Sequence, residues 1–178
     1  MSILLFTAGL IVVQLLQKGD AAPARHCNVK GLGPCGTSNY TYISELDLCV
    51  KFYNDLETRL AAQMRCAEDS GSLVILNTKE KDMFYRNYIL EQTGHYTTFW
   101  IGARWLSGIN DQSIWQWRNG ELLQTTYRNW GPLQPRTVDF SDTYTCAIYF
   151  KFPDDVFAWE ADSCLRRYAS ICEKQKIS

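Results

Sequence analysis

The 178-residue chain carries a formal net charge of −1 and an isoelectric point near 6.1, which excludes the basic excess that binding to phosphate backbones requires. Aromatic residues make up 13% of it, with six Trp, and that composition favours a β-rich core or a stacking surface over a helical bundle. No internal repeat or low-complexity segment divides the sequence, so a single domain of ordinary size is expected.

The opening apolar run, from Ile3 to Leu16, is followed by Ala21, Ala22, Pro23 and Ala24. It is shorter than the ~20 apolar residues a bilayer span needs, and the small residues suit signal peptidase. Residues 1–22 therefore read as a signal peptide, with cleavage within 21–24, and the mature chain as secreted. The absence of Lys or Arg ahead of the run leaves an uncleaved anchor as the alternative. No second run of spanning length follows, so no membrane span is expected in the mature chain.

Residues 23–34 form an N-terminal extension and contain Cys27. Gly31-Leu32-Gly33-Pro34-Cys35-Gly36 matches the spacing of a dinucleotide-binding loop. No strand precedes it, no helix opens after it, and Pro and Cys sit inside it, so it reads as a plain loop. Asn39-Tyr40-Thr41 satisfies the N-glycosylation sequon.

Between Asp55 and Glu68, small and apolar residues recur at three- and four-residue steps (Leu56, Leu60, Ala61, Met64, Ala67), which predicts a helix capped by Asp55 that carries Cys66 toward the core. Gly71 ends it, and Leu73–Leu76 reads as a short buried strand. Asn77, with Glu80 three residues on, predicts a second helix to about Glu91 with Met83, Phe84 and Tyr88 facing inward. After Gly94 the pattern changes to strands: Phe99–Ala103, Trp115 and Trp117 on one face, a turn at Arg118-Asn119-Gly120-Glu121, and Cys146–Phe150. Helices early and strands late argue an α+β domain.

Six of the seven cysteines lie between Cys35 and Cys172. Behind a signal peptide an even set reads as a disulfide framework, and six cysteines allow fifteen pairings. No gap is Cys-x-x-Cys and only His26 and His95 are present, so a tetrahedral zinc site is disfavoured. The odd Cys27 points to an intermolecular bridge or a free thiol; a covalent homodimer is the preferred reading, with a cap or a partner-swapped pair as the alternatives. Neither His has a Ser or Cys arrangement that suggests a nucleophile, so an enzyme is not expected.

Phe99-Trp100-Ile101-Gly102 resembles the core signature of the C-type lectin-like domain. It is followed in the family's order by Trp115-x-Trp117 before Asn119-Gly120, by Tyr127-Arg128-Asn129-Trp130, by Gln134-Pro135, by Trp159 ahead of Cys164, and by Ala169-Ser170-Ile171-Cys172-Glu173. The resemblance implies a C-type lectin-like domain over 35–175: two helices, small antiparallel sheets and a long irregular ligand loop, stapled by disulfides. In the family's long form the pairs are Cys35 with Cys49, Cys66 with Cys172, and Cys146 with Cys164. It also assigns Trp100, Trp115, Trp117 and Trp159 to core packing, leaving Trp105 as the candidate stacking surface.

Sugar-binding members hold a calcium ion with side chains that flank a cis Pro, with a Glu two before the next Cys, and with an Asn-Asp pair after the late Trp. The corresponding residues here are Gln134-Pro135-Arg136, Tyr144 and Glu160-Ala161. Only Gln134 and Glu160 could offer a ligand, and Arg136 would place a permanent guanidinium at the ion's position. Arg104 and Gly108 stand where auxiliary calcium ligands would be. No cofactor is therefore expected. Gln134, Arg136, Glu160 and Asp162 could instead form a polar patch that reads hydroxyls or a carboxylate directly, or Arg136 could close the old site by pairing with Glu160.

Between Thr137 and Asp162, six carboxylates (Asp139, Asp142, Asp154, Asp155, Glu160 and Asp162) face only Lys151. Such a run is usually a solvated face; a displaced calcium site, a mineral-binding surface or a patch for a basic partner are the other readings. Two functions follow from the resemblance: binding carbohydrate without the usual bridging calcium, or binding an extracellular protein or matrix on the same scaffold.

Overall fold

The computed structural model describes residues 33–92, 96–109, 112–136 and 145–177. The signal-peptide reading, Cys27, and Tyr144 with Asp139 and Asp142 lie outside the described residues. Among the described residues the fold is α+β, with two α-helices against an eight-stranded sheet network.

The domain opens on a hairpin, β1 (Thr41–Ile43) and β2 (Leu48–Glu57), paired antiparallel with Tyr42 opposite Cys49. Strand β2 then pairs antiparallel with β8 (Tyr168–Gln175), Lys51 facing Cys172. The two ends of the domain are thereby zipped together, and Ile177 N–H donates to the Pro34 carbonyl at 2.8 Å. Neither β1 nor β2 was expected from the residue pattern.

Helix α1 spans Arg59–Glu68 and is capped by Thr58, whose hydroxyl accepts the Ala61 N–H; Asp55 sits in β2 instead. The inward face also differs from the apolar stripe the sequence suggests. Leu56, Leu60 and Met64 are 57%, 65% and 59% exposed, while Arg59, Ala62 and Cys66 are buried. The cause is covalent. Cys66 is bonded to Cys172 on β8, which fixes the helix's rotation, and positions three, four and seven residues back from a buried position share its face.

Helix α2 spans Lys79–Gln92. Thr78, not Asn77, caps it by accepting the Lys81 N–H at 3.2 Å; the Asn77 amide donates to Glu121 at 2.6 Å. Its buried face is Asp82, Tyr85 and Ile89. Phe84 and Tyr88 are half-buried and stack at 5.8 Å, whereas Met83 points to solvent.

Strand β3 (Ser72–Leu73) pairs with β8, and the buried stretch through Leu76 runs on between β8 and β4: Val74 N–H donates to the Ile171 carbonyl, and Gly102 N–H to the Val74 carbonyl. A Cβ at Gly102 would meet the Leu73 and Val74 carbonyl oxygens at 2.8 and 2.9 Å, so the close approach requires glycine.

Strand β4 (Thr98–Ile109) is central. It pairs antiparallel with β5 (Gln112–Trp117) and β6 (Thr145–Lys151), and parallel with β8 at Phe99–Ala169 and Trp100–Ser170. Strand β7 (Phe157–Ser163) follows β6, giving the order β1-β2-β8-β4-β6-β7. Trp100, Trp115, Trp117 and Trp159 are all buried, as the resemblance implies. The three disulfides join Cys35 to Cys49, Cys66 to Cys172 and Cys146 to Cys164, with Cα separations of 5.6, 5.5 and 5.2 Å.

Candidate functional site

The long segment after β5 is held to strand β7 by main chain. Trp130 bridges Trp159; Trp159 N–H donates to the Asn129 carbonyl at 2.7 Å, and Gly131 N–H donates back to the Trp159 carbonyl at 2.9 Å. Beneath this seam lies Asp82, 3% exposed, whose carboxylate accepts from Trp159 Nε1 at 3.1 Å and Asn129 Nδ2 at 2.9 Å. Burial pushes its carboxyl up to about 6 against the pull of those donors. The Tyr-Arg-Asn-Trp motif therefore works through Asn129, which also donates to the Phe157 carbonyl and so ties helix α2, the loop and β7 at one point.

The segment then turns. Leu133 takes φ +60°, Gln134 N–H donates to the Gly131 carbonyl at 3.1 Å, and the Gln134–Pro135 peptide is cis. Gln134 Oε1 accepts two backbone donors, Arg136 N–H at 2.8 Å and Ala161 N–H at 3.1 Å. Next along β7, the Glu160 carboxyl is raised by partial burial and lowered by the nearby Arg136 guanidinium. Arg136 is exposed, and among the ion pairs of the described residues there is none between it and Glu160, whose carboxyl is instead hydrogen-bonded by the Gln134 side chain.

Of the five residues singled out from sequence, Gln134, Arg136 and Glu160 are thus brought together. Asp162 follows on the same strand but is used locally: it accepts from the Tyr168 hydroxyl and the Ser163 N–H, and pairs with Arg166 at 3.4 Å. Trp105 is elsewhere. It is half-buried against the main core and lines a separate groove of ≈ 410 Å³ with Leu60, Leu165 and the Cys146–Cys164 bridge, so it is not a freely exposed stacking surface beside Arg136.

Asn39, the sequon residue, is exposed ahead of β1. Within the acidic stretch, Asp155 pairs with Lys151 at 2.7 Å, and among the described residues no group of three or more His, Cys, Asp or Glu could hold a metal.

One concavity was not anticipated. A cavity of ≈ 150 Å³ is lined by Arg59, Arg104, Arg118, Gln63, Gln116 and Trp117. Its sequence signal was available: Cys66 turned inward puts Arg59 on the same helix face, and the hairpin register sets Arg104 opposite Gln116, two positions from Arg118.

Residues 56–174 match the family model described as the lectin C-type domain. The subunit B2 of a snaclec coagulation factor IX/factor X-binding protein from Trimeresurus stejnegeri is 29% identical over 169 residues, covering 94% of this chain and 93% of that one. The secretory phospholipase A2 receptor of Bos taurus is 24% identical over 173 residues, and there the match spans 92% of this chain but only 11% of the receptor. Among solved structures, the Ca2+-independent C-type lectin SPL-2 from Saxidomus purpuratus superposes with a TM-score of 0.62 at 25% identity, covering 78% of this chain and 92% of that one. Motif order, sheet topology, three disulfides and the match over 56–174 agree: the chain belongs to the C-type lectin domain family.

Proposed function

We propose that the chain is a secreted recognition module that binds carbohydrate at the edge formed by Gln134, Arg136 and Glu160, without a calcium ion bridging protein and sugar. The observation that carries this reading is the fate of the Gln134 side-chain oxygen, which two backbone N–H groups already occupy. A hard cation needs several oxygens at once, at ~2.3–2.6 Å. Asp162 is engaged by Tyr168, Ser163 and Arg166, Ala161 brings no side-chain oxygen, and Glu160 is hydrogen-bonded by the Gln134 side chain within the field of the Arg136 guanidinium. This donor set does not suit a bridging calcium. The loop is instead shaped by protein hydrogen bonds, and Arg136 with Glu160 offers both donors and acceptors to sugar hydroxyls.

The described relationship to a lectin whose name records calcium independence supports the same reading, and the three disulfides fit an oxidising compartment. A glycan on Asn39 and a covalent homodimer through Cys27 belong to the proposal. No enzymatic step does. A glycan array run with calcium and with EDTA tests it: binding that persists in EDTA and drops at least tenfold, about 1.4 kcal/mol, in Arg136→Ala agrees. Binding that needs calcium overturns it.

A second reading, a protein-binding surface, is favoured by Leu133, an apolar side chain 86% exposed on the turn next to Gln134, and by the snaclec relative, whose name records factor IX and factor X binding. A silent array together with a protein partner whose capture is lost in Leu133→Asp would select it.

A further inference from the structure

We propose that the cavity between helix α1 and the β4–β5 hairpin is an oxyanion site, in which Arg59, Arg104 and Arg118 grip a sulfate or phosphate group, free or as the ester of a larger ligand. It shares no residue with the Gln134 edge and stands or falls independently of the function proposed for that edge.

Arg59 is the central observation. The residue is 9% exposed, yet among the described residues its one side-chain hydrogen bond is from Nη1 to the neutral Gln63 Oε1 at 3.2 Å, and its Nε has no acceptor. Buried charges in folded proteins are paired or ligated, because an uncompensated one costs several kcal/mol. Here the neighbours make matters worse. Burial lowers the readiness of Arg59 to hold its proton to about 10, and the fields of Arg104 and Arg118 add to that. Neither exposed arginine pairs with a carboxylate, although the domain forms seven ion pairs elsewhere among the described residues. Among the described residues the cavity wall holds no Asp or Glu.

Three guanidiniums around one concavity, with no acid to neutralise them, are an arrangement that an anion completes. A planar guanidinium presents paired N–H donors that match two oxygens of a tetrahedral oxyanion. The ≈ 150 Å³ volume is well above the roughly 10–15 Å³ of the same kind that one water needs, which is ample room for a four-oxygen anion. The cavity also has a way out. Arg59 and Arg104 line the adjoining groove as well, where Leu60, Trp105 and Leu165 supply an apolar wall. An ester could seat its anionic group on the arginines and lay its body along Trp105, which gives that half-buried indole a use the Gln134 edge does not.

The test is calorimetric titration of the full chain with sodium sulfate and sodium phosphate at matched ionic strength, with chloride as the reference. Saturable binding at millimolar concentration is expected. Arg104→Gln and Arg118→Gln, both at exposed positions that leave the core intact, should each weaken it about tenfold, since a charge-assisted hydrogen bond contributes on that scale; Arg136→Gln should leave it unchanged. A 6-sulfated N-acetylhexosamine and its unsulfated parent separate the sources. Tighter binding of the sulfated sugar than of inorganic sulfate identifies an ester ligand, and equal affinity identifies the free ion. No saturable heat with either ion, or binding weakened only by Arg136→Gln, overturns the assignment.

Discussion

The side-chain oxygen of Gln134 accepts the backbone N–H of Ala161 at 3.1 Å, joining the cis-proline turn to strand β7 through a residue 27 positions away. A neutral side-chain amide thereby serves as a clasp of the loop. Gln134→Ala should open that clasp with little effect on the rest. A net cost of about 0.5–1.5 kcal/mol is expected, and the Ala161 amide should exchange with deuterium about tenfold faster while the Trp159 amide, held by Asn129, keeps its protection. Equal acceleration at both amides would show that the seam opens as one unit.

Lys81 and Glu173 form a buried pair at 2.8 Å, with Glu173 also accepting from Ile75 N–H at 3.1 Å and the Tyr85 hydroxyl at 3.3 Å. Glu173→Ala should destabilise by about 3–5 kcal/mol, because Lys81, the Tyr85 hydroxyl and the Ile75 N–H all lose their acceptor. The double change Lys81→Met with Glu173→Leu should recover most of that loss. Urea unfolding of the two single variants and the double closes the cycle.

Asp82 gives the domain a pH dependence of its own. Its carboxyl rises from the ordinary 3.8 to about 6 on folding, so the folded state binds the proton more tightly than the unfolded chain. The group's contribution is therefore greatest below about pH 4 and declines as pH rises to about 6, by up to roughly 3 kcal/mol. Unfolding free energies of the parent minus those of Asp82→Asn should fall across that window and stay level above it. A difference that is flat from pH 4 to 7 would refute the account.

The exposed stripe on helix α1 predicts tolerance. Leu60→Lys and Met64→Lys should each change stability by no more than about 0.5 kcal/mol, since surface substitutions away from special contacts rarely do more. Ala62→Leu, at a residue 0% exposed, should cost about 1–3 kcal/mol through overpacking. Thermal unfolding of the three variants measures this directly.

The parts of the fold that could be seen in the sequence were those with a single dominant cause. Trp115 and Trp117 alternate because β5 buries one face, and the Trp-Ile-Gly core needs Gly102 where two carbonyls press against it. Helix α1 failed in rotation because its apolar residues lie on the wrong side: the bond from Cys66 to Cys172 outweighs the few tenths to a few kcal/mol that burying Leu60 and Met64 would bring. Strand β2 was missed although Val50 and Phe52 alternate with Lys51 and Tyr53, because Asn54 breaks the apolar row and the pairing with β8 depends on residues more than a hundred positions away. At the site, Gln134, Arg136 and Glu160 could be named from motif order. That Asp162 was already engaged by Tyr168 and Arg166, and that Trp105 opened onto a different groove, depended on tertiary packing that no local pattern encodes.

The contact between Ile177 and Pro34 puts the way in and the way out of the domain side by side at the β1 flank of the strand order, whereas Gln134 and Ala161 meet at the β7 flank. A segment joined to the domain directly at Pro34 or Ile177 would thus depart from the opposite edge of the strand order to the Gln134 turn. Copies planted densely on a surface by their tails would all present the same rim to whatever drifts past, so weak single contacts could be multiplied without any change to the chain itself.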